Sequence, residues 1–334
     1  MQVIKKGCNI IATLQNNSFM QENKEKVEKL VIVGSGPAGL TAAIYGARGF
    51  LNPLVVTGRS AGGQLMLTTD VDDFPGFPQG IKGPALMELF RAQAERFGAR
   101  ILEEEVTQAD FSGHPFKITT DNRAILTKAV IIATGASALW LGLPSEKQLI
   151  GRGVSACAVC DGPFFRGKKV VVVGGGDAAM REAQHLSKYA SQVTIVHRRE
   201  ALKAQEALQQ LVKKLPNVNF VYNSTVEEVL GKERVSGVRL KNTLTGKVST
   251  LKTDGMFLAI GSRPNTQFLE GQINLDKKGY VEISDETKTS VPGVFVAGDV
   301  ADWHYRQAVT AAGSGCKAAL DAEHYLDHLD AATS

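Results

Sequence analysis

The sequence predicts an α/β fold that contains two Rossmann-like nucleotide-binding units. A strand, a glycine-rich turn, a helix and a second strand follow one another from residue 30, and the same order returns from residue 169. Strands that alternate with helices are typical of doubly wound parallel sheets with right-handed crossovers. The length of 334 residues also suits two domains of ordinary size.

The elements of both units are predicted from hydrophobic runs and helical spacing. In the first unit, buried strands are expected at 30–33, 54–57 and 128–134, with a small-residue helix after the first of them. Apolar residues at 86, 89, 90, 94 and 97 have the spacing of a helix over 84–97. The second unit is expected to have strands at 169–173 and 192–196, joined by a helix that ends near residue 189.

Composition and charge exclude several classes of protein. Hydrophobic residues make up 43% of the chain and charged residues 22%, which is ordinary for a globular protein and argues against disorder, collagen or coiled coil. The net charge of +4 is too small to indicate a nucleic-acid surface, so no nucleic-acid partner is expected. No apolar run approaches the roughly 18–20 residues of a membrane span, so no membrane partner is expected.

Residues 1–28 differ from the rest of the chain. They are rich in Asn and Gln, and their apolar stretch at 10–12 is far too short for a secretory signal. We expect a flexible extension here, or an upstream start codon in front of Met20, with Cys8 as a bystander. Because no export signal is recognised, the expected location is cytoplasmic.

The first glycine-rich turn follows the G-x-G-x-x-G pattern of a dinucleotide-binding loop, at Gly34, Gly36 and Gly39. The first glycine permits a tight turn, the second lets the backbone approach a pyrophosphate, and the third lets the helix pack on the strand. The N-terminus of the helix would then face the phosphate charge. The alternative is an ordinary glycine turn.

The second loop follows G-x-G-x-x-A, at Gly174, Gly176 and Ala179, and the end of the next strand indicates its ligand. An NAD site would place Asp or Glu there to accept the ribose 2′-hydroxyl. Guanidinium groups would instead bind the 2′-phosphate of NADPH. The residues at this position are His197, Arg198, Arg199 and, four residues later, Lys203. We therefore interpret the second unit as an NADPH site, the alternative being a solvated basic turn.

The first unit has no acidic residue at the matching position, where Thr57, Gly58 and Arg59 stand, and this favours FAD over NAD. A later segment supports FAD. A short strand ends at Gly298-Asp299, and a carboxylate there can accept a hydrogen bond from a flavin ribityl hydroxyl. A helix N-terminus near 306–310 would add positive potential beside the flavin pyrimidine.

A C-x-x-C pair, Cys157 and Cys160, lies between the two units. Structural zinc would need two more ligands, and no second C-x-x-C is present. The spacing allows a reversible disulfide with one sulfur of low pKa, so we favour redox chemistry over a pair of inert buried thiols. The neighbouring Asp161 is a candidate general acid–base, the alternative being a plain turn residue.

The order of these features resembles the low-molecular-weight thioredoxin reductase family, over about residues 29–329. The segments that carry the resemblance are GSGPAG at 34–39, TG-x-x-x-GGQL at 57–65, DFPGFP at 73–78, ATG at 133–135, GRGVSACAVCDG at 151–162, GGGDAAM at 174–180, HRRE at 197–200, IGSRPNT at 260–266 and AGDVADWHYRQAVTAAGSGCKAALDAEHYL at 297–326. Two departures are Val159, where the family often has threonine, and Lys203, where it has arginine.

The resemblance implies an NADPH-binding domain, residues 134–267, inserted into a discontinuous FAD-binding domain, residues 29–133 and 268–334. It implies that FAD is bound by Gly34, Ser35, Gly36, Pro37, Ala38, Gly39, Thr57, Gly58, Gly62, Gly63, Gln64, Asp73, Val106, Thr134, Gly135, Ala136, Gly298, Asp299, Arg306, Gln307 and Ala308. It implies that NADPH is bound by Gly174, Gly176, Asp177, Ala178, Ala179, His197, Arg198, Arg199, Lys203, Ile260 and Gly261.

The activity implied is that of an NADPH-dependent thioredoxin-disulfide reductase, a flavoprotein that works as a homodimer. Electrons would pass from NADPH to FAD, to the Cys157–Cys160 disulfide and then to thioredoxin. The NADPH domain would rotate between the half-reactions, with hinges near Gly135 and Pro264. For docking of thioredoxin we expect Arg152, Phe164 and Phe165, the alternative being that the two aromatic rings belong to the core.

Three other functions are weighed against this one. An FAD-dependent dithiol oxidase that uses oxygen would have a degenerate NADPH site, whereas Gly174, Arg198 and Arg199 are intact. A ferredoxin–NADP reductase of similar fold would lack Cys157 and Cys160. A redox sensor or binding module without catalysis does not need two nucleotide loops together with a redox pair.

Overall fold

The computed structural model describes residues 26–333. Its strands are, in chain order, β1 (Val27–Val33), β2 (Leu54–Val56), β3 (Asp70–Val71), β4 (Ile81–Lys82), β5 (Arg100–Leu102), β6 (Val106–Asp110), β7 (Phe116–Thr120), β8 (Ala124–Ile132), β9 (Ala136–Ala138), β10 (Val154–Ser155), β11 (Lys169–Val173), β12 (Gln192–Val196), β13 (Val218–Val221), β14 (Ser224–Leu230), β15 (Gly237–Asn242), β16 (Val248–Leu251), β17 (Gly255–Leu258), β18 (Ser262–Pro264) and β19 (Val294–Val296).

The α-helices are α1 (Pro37–Arg48), α2 (Gly83–Arg96), α3 (Pro144–Leu149), α4 (Ala158–Asp161), α5 (Asp177–Leu186), α6 (Glu206–Lys213) and α7 (Ala308–Thr333). Strands β11 and β12 have the predicted bounds, and α2 lies within one residue of its predicted bounds. Both strand–glycine–helix–strand units are therefore confirmed. The strand predicted at 128–134 begins earlier, at residue 124, because its first residues pair with β7.

The first sheet has the order β5–β2–β1–β8–β7–β6, with β19 also paired to β8. Strands β1, β2, β5, β8 and β19 are parallel, as the alternating pattern predicts. Strands β6 and β7 are antiparallel, which the prediction of parallel sheets missed. The reason is that only residues 111–115 and 121–123 connect β6, β7 and β8, and such short turns join antiparallel strands.

Small residues let α1 and α7 pack closely on one face of this sheet. A Cβ at Gly315 of α7 would lie 2.1 Å from the carbonyl oxygen of Ala38 in α1, so the two backbones nearly touch. Ala42, Ala43, Ala318 and other small side chains fill the space between these helices and the strands. This packing holds the N-terminus of α1 and the residues before α7 at the carboxyl ends of β1 and β19.

The second sheet, β10–β17–β11–β12–β13, is entirely parallel. Helix α5 covers one face, where Met180, Ala183 and Leu186 are fully buried. An antiparallel sheet of β14, β15 and β16 contributes to the core on the other face. The sheet therefore has both faces covered, which explains the unbroken run of valines in β11.

Two chain segments connect the sheets, and they lie side by side. Strands β9 and β18 pair antiparallel, with Ala136 opposite Pro264. Beside them, Asn265 donates from Nδ2 to the carbonyl oxygen of Thr134 at 2.8 Å, and the Thr134 hydroxyl donates to the carbonyl oxygen of Asn265 at 2.8 Å. Of the residues predicted as hinges, Pro264 therefore belongs to this two-stranded connection and Gly135 directly precedes it.

The extension predicted at residues 1–28 includes two residues that the structure places in the first strand. Val27 and Glu28 belong to β1, where Glu28 pairs in register with Thr127 of β8. The buried Glu28 carboxylate accepts hydrogen bonds from both terminal nitrogens of Arg100, at 2.6 and 3.0 Å. Residues 1–25, with Cys8 and Met20, lie outside the described residues.

Candidate active site

The three glycines of the first loop have distinct surroundings. A Cβ at Gly34, where φ is +111°, would lie 2.3 Å from the carbonyl oxygen of Ala133. A Cβ at Gly39 would lie 2.0 Å from the carbonyl oxygen of Gly34, whereas nothing lies within 4 Å of one at Gly36. The outer glycines thus allow the tight turn and the close helix packing, and the backbone at Gly36 faces open space. A pyrophosphate can approach the helix N-terminus there.

The segment at 57–64 folds back onto this loop. The Ser35 hydroxyl donates to the carbonyl oxygen of Thr57 at 3.3 Å and accepts from the backbone N–H of Gly62 at 3.0 Å. A Cβ at Gly63 would lie 3.3 Å from the Cα of Gly36. The structure therefore brings together the predicted FAD-binding residues of the first loop and those of the segment 57–64.

Gly298 and Asp299 follow β19 and reach the same loop. A Cβ at Gly298 would lie 2.9 Å from the Cβ of Ala38 in α1. Burial raises the pKa of Asp299 to about 6, although the nearby positive charge of Arg306 opposes this shift. Arg306 has left-handed backbone, with φ of +50°, and donates from Nη1 to the Ser262 hydroxyl at 2.9 Å. Its Nε is buried without a hydrogen-bond partner among the described residues.

The second loop repeats this arrangement. A Cβ at Gly174 would lie 2.5 Å from the carbonyl oxygen of Ala259 and 3.0 Å from the Cβ of Ala179, whereas one at Gly176 would meet nothing within 4 Å. The Asp177 carboxylate accepts from the backbone N–H of Gln205 at 2.8 Å, which fixes the start of α5. Here too the middle glycine leaves space at a helix N-terminus.

The predicted basic residues surround this second loop. Arg198, Arg199 and Lys203 are exposed, and no ion pair within residues 26–333 engages any of them. The backbone N–H of Lys203 donates to the carbonyl oxygen of Gly175 at 2.7 Å, so this side chain starts next to the loop. His197 is buried, and burial with the three nearby positive charges lowers its pKa.

Cys157 and Cys160 form a disulfide at the start of α4. The backbone N–H of Cys160 donates to the sulfur of Cys157 at 3.2 Å. Gln307, which precedes α7 and belongs to the first unit, touches both sulfurs. Its Oε1 lies 3.9 Å from the sulfur of Cys160, and its Nε2 lies 4.0 Å from that of Cys157. The disulfide therefore lies at the contact between the two units.

Asp161 follows the disulfide directly, and its carboxyl group is largely buried. Burial raises its pKa, an interaction with the Ser155 side chain lowers it, and the negative charges of Asp73 and Asp70 raise it further. A carboxyl group that holds its proton more strongly than usual, on the residue that follows a redox cysteine in sequence, suits general acid–base work.

Comparison with known proteins agrees with this geometry. The family model described as "Pyridine nucleotide-disulphide oxidoreductase" matches residues 28–315. The chain belongs to this family. It is 51% identical to thioredoxin reductase 1, mitochondrial, of Arabidopsis thaliana, over 95% of this chain and 89% of that protein. It is likewise 51% identical to the thioredoxin reductase of Coxiella burnetii, over 93% of this chain and 100% of that protein.

A solved structure extends the comparison to the fold. Thioredoxin reductase from Giardia duodenalis matches with a TM-score of 0.85 and 46% identity, over 90% of this chain and 98% of that chain. The resemblance to thioredoxin reductases, the α/β fold with two Rossmann-like units and the grouping of the redox cysteines with two nucleotide loops are therefore confirmed.

One residue of this family member was missed by the sequence reasoning. Glu182 lies on α5, and its Oε2 is buried without a hydrogen-bond partner in the described part of the chain. Burial raises the pKa of Glu182 to about 8, and the positive charge of Arg306 in the other unit opposes the shift. The sequence feature that could have identified Glu182 is an acidic residue on the buried side of an amphipathic helix that starts at a nucleotide loop.

The remaining predicted positions differ in their surroundings. Val106 packs against the core of the first sheet, and Ala136 is buried at the connection between the sheets. Asp73 is exposed, but its charge acts on Asp161. Ile260 is exposed, and the carbonyl oxygen of Gly261 accepts a hydrogen bond from the backbone N–H of Leu139 at 3.0 Å.

The residues predicted to dock thioredoxin differ in their exposure to solvent. Arg152 and Phe164 are exposed, but Phe165 is buried and packs edge-on against Phe257, with ring centroids 5.1 Å apart. The docking role predicted for Phe165 is therefore wrong. The reason is that a tight 3₁₀ turn over Gly162–Phe165 points the two neighbouring rings in different directions.

Proposed function

We propose that this protein reduces the disulfide of a thioredoxin with electrons from NADPH, which pass through FAD and the Cys157–Cys160 disulfide. One observation carries the proposal: the Cys157–Cys160 disulfide of the NADPH-binding unit touches Gln307 of the FAD-binding unit. This arrangement lets a redox pair take electrons at the contact of the two units and deliver them to a protein outside.

The residues of the first unit fit FAD. The backbone at Gly36 is open to a pyrophosphate, and the N-terminus of α1 supplies N–H groups there. The buried carboxyl group of Asp299 can accept a hydrogen bond from a ribityl hydroxyl. The buried Nε of Arg306 is a donor that needs an acceptor, which a flavin carbonyl would supply. These are the groups that we propose to hold FAD, with the other predicted residues of the loop.

The residues of the second unit fit NADPH. The backbone at Gly176 is open at the start of α5, and Arg198, Arg199 and Lys203 offer three positive charges around one loop. A 2′-phosphate carries up to two negative charges, which guanidinium groups can bind with two hydrogen bonds each. An NAD ribose would instead find no carboxylate at this position.

When bound, NADPH and FAD supply the electron pair that opens the disulfide. The chain's own residues then control the sulfurs. The N–H of Cys160 stabilises a thiolate at Cys157, because a hydrogen bond to the charged form lowers the pKa of a thiol. Asp161 holds or releases the proton that the sulfurs exchange with thioredoxin.

We propose that residues 134–267 form the NADPH domain and rotate as a unit against residues 29–133 and 268–334. Gln307 contacts both sulfurs, and we propose that a protein partner reaches the disulfide only when this contact is opened. The paired strands β9 and β18 are a narrow connection, and Gly135, with φ of +67°, lies at its edge. Rotation about this connection would alternate access to the sulfurs.

The partner surface, assembly and location are also proposed. Arg152 and the exposed Phe164 would contact thioredoxin. Exposed apolar side chains on α1 and α7, namely Tyr45, Val309 and Leu320, support a homodimer formed through these helices. The cytoplasm supplies NADPH and keeps thiols reduced, which suits this reaction. Among residues 26–333, no helix is long and apolar enough to cross a bilayer.

The alternative of a dithiol oxidase that uses oxygen is not supported. Thioredoxin reductases are about 50% identical over most of this chain, and the cations that we propose to bind the 2′-phosphate are present and exposed in the second unit. An oxidase that takes electrons from a dithiol would have no use for Arg198 and Arg199.

The test is NADPH oxidation by the FAD-loaded protein, followed by absorbance with and without a thioredoxin. We expect oxidation that depends on thioredoxin and yields two thiols for each NADPH consumed. The Cys160→Ser variant is the control, and it should keep flavin reduction but not reduce thioredoxin. Oxidation that needs oxygen and ignores every thioredoxin would refute the proposal.

A further inference from the structure

Ser262 lies in the connection between the two units and forms the middle of a chain of three side chains. It belongs to β18, where it pairs with Ala138 of β9. Nη1 of Arg306 donates to the Ser262 hydroxyl at 2.9 Å, and the hydroxyl oxygens of Ser262 and Tyr280 lie 3.0 Å apart in a second hydrogen bond. Ser262 therefore joins Arg306, which precedes α7, to Tyr280, which precedes β19.

The Tyr280 end of this chain is held firmly. Tyr280 is buried, and its backbone N–H donates to Oδ1 of Asp276 at 2.9 Å. The backbone N–H of Asp276 donates in return to the carbonyl oxygen of Tyr280 at 2.8 Å. Because both the ring and the backbone are fixed, the Tyr280 hydroxyl is a stable anchor for the half-buried Ser262 side chain.

The Arg306 end of the chain carries a charge that other groups attract. Its positive charge acts on the carboxyl group of Asp299 in the same unit and on that of Glu182 in the other unit. Nε of Arg306 is buried and has no hydrogen-bond partner among residues 26–333, whereas Nη1 is held by Ser262. A guanidinium group is planar and rigid, so a hydrogen bond at Nη1 also restricts the direction of Nε.

We propose that Ser262 is a positioning residue of the flavin site, whose hydroxyl, anchored by Tyr280, holds the Arg306 guanidinium so that its buried Nε stays available to FAD. This inference rests on the proposed function, because it assigns Ser262 a part in the proposed binding of FAD. Ser262 acts through Arg306 and is not itself proposed to contact the flavin.

The midpoint potential of bound FAD is the quantity that this role controls. A fixed positive charge beside a flavin favours the reduced form, because reduction adds electron density to the ring. At pH 7.5 the carboxyl group of Asp299, whose pKa is raised to about 6, is ionised and attracts the guanidinium. Without the Ser262 hydroxyl, Arg306 can turn toward Asp299, and the positive potential at the flavin falls.

The experiment measures the midpoint potential of FAD in the loaded protein at pH 7.5, by anaerobic equilibration with a reference dye and by flavin absorbance. The variants are Ser262→Ala, Ser262→Thr and Tyr280→Phe. Ser262→Ala is also made in an Arg306→Gln background, which tests whether the hydroxyl acts through the guanidinium. Ser236→Ala is the control, because the exposed Ser236 hydroxyl donates to the carbonyl oxygen of Leu230 at 3.2 Å, away from this chain.

We expect Ser262→Ala to weaken the preference for reduced over oxidised FAD about tenfold, the usual order for loss of a hydrogen bond to a charged group. For a two-electron couple this makes the potential about 30 mV more negative. Ser262→Thr should restore the original potential, and Tyr280→Phe should shift it in the same direction by less. Ser236→Ala should leave it unchanged, and Ser262→Ala should add nothing to Arg306→Gln.

An unchanged potential in both Ser262→Ala and Tyr280→Phe, with FAD bound, would overturn the inference. An equal shift from Ser262→Ala with and without Arg306 would also overturn it, because the effect would then be general to the fold. A shift as expected in a protein that reduces no thioredoxin would overturn the proposed function and leave the role of Ser262 intact. Failure of the unmodified protein to bind FAD would overturn both.

Discussion

The side-chain oxygen of Gln307 lies 3.9 Å from the sulfur of Cys160, and its nitrogen lies 4.0 Å from that of Cys157. Gln307 precedes α7 in the first unit, whereas the cysteines belong to the second, so this contact joins segments about 150 positions apart. The polar amide touches the sulfurs in the oxidised state. Any charge placed there will act on the thiolates that form when the disulfide opens.

We predict that Gln307→Glu slows the reduction of the disulfide about tenfold. A carboxylate about 4 Å from a forming thiolate is repelled by up to about 4 kcal/mol at a typical surface dielectric, and solvent reduces this to roughly 1–2 kcal/mol. The rate is measured by trapping new thiols with an alkylating reagent after mixing with NADPH. Gln307→Met has the same length without charge. Equal rates for the two variants would show that charge at this position is unimportant.

Glu182 gives a prediction about stability and pH. Its folded pKa is raised from 4.5 to about 8, so between these values the folded protein holds a proton that the unfolded chain has lost. This stabilisation is complete below pH 4.5 and is lost as pH rises through about 8. Glu182→Gln replaces the titrating carboxyl group with an amide that does not titrate. The free energy of unfolding of this variant, relative to that of the unmodified protein, should therefore increase by about 2 kcal/mol from pH 6 to pH 8.

The measurement is the thermal unfolding midpoint of both proteins at pH 6, 7 and 8, with FAD bound. We expect the difference between them to change by several degrees across this range. Glu233→Gln, at an exposed position, is the matched control and should keep a constant difference. A constant difference for Glu182→Gln as well would contradict burial of this carboxyl group.

The basic residues give a prediction about nucleotide choice. Arg198→Ala and Arg199→Ala should each reduce kcat/KM for NADPH about tenfold or more, because a charge-assisted hydrogen bond contributes roughly 1.5–3 kcal/mol. The value for NADH should change little, since NADH has no 2′-phosphate. Steady-state rates with both nucleotides check this. Parallel losses for NADPH and NADH would mean that the arginines act on the fold rather than on the phosphate.

Phe50 gives a prediction about backbone strain. It has left-handed backbone, with φ of +59°, and its side chain is 86% exposed. A bulky residue is disfavoured in this conformation, whereas asparagine tolerates it, and little buried surface is lost on substitution. Phe50→Asn should therefore raise stability by about 1 kcal/mol, or the unfolding midpoint by about 2–3 °C. Phe50→Leu keeps the strain and should not stabilise.

Local chemistry explains which features were predictable from sequence. The two glycine loops and strands such as β11 depend on short-range rules, namely where a Cβ is excluded and how long a buried strand runs. The neighbours Phe164 and Phe165 show the limit, because a single 3₁₀ turn exposes one ring and buries the other. Residue type and spacing do not distinguish them.

Contacts between the units were beyond sequence reasoning for a different reason. Gln307 was expected to bind FAD, and nothing in its neighbours indicates that it also meets the disulfide. The burial of Glu182 and its position near Arg306 likewise depend on how one unit lies on the other. The antiparallel strands β6 and β7 were missed because their connections are too short to show a helical pattern.

The most direct test of the central claim is an anaerobic titration of the oxidised, FAD-loaded protein with NADPH, with thiols counted at each step. The account predicts that the unmodified protein takes up two equivalents, one for FAD and one for the Cys157–Cys160 disulfide, and gains two thiols. Cys160→Ser should take up one equivalent. Uptake of a single equivalent by the unmodified protein, with no new thiol, would contradict the electron path proposed here.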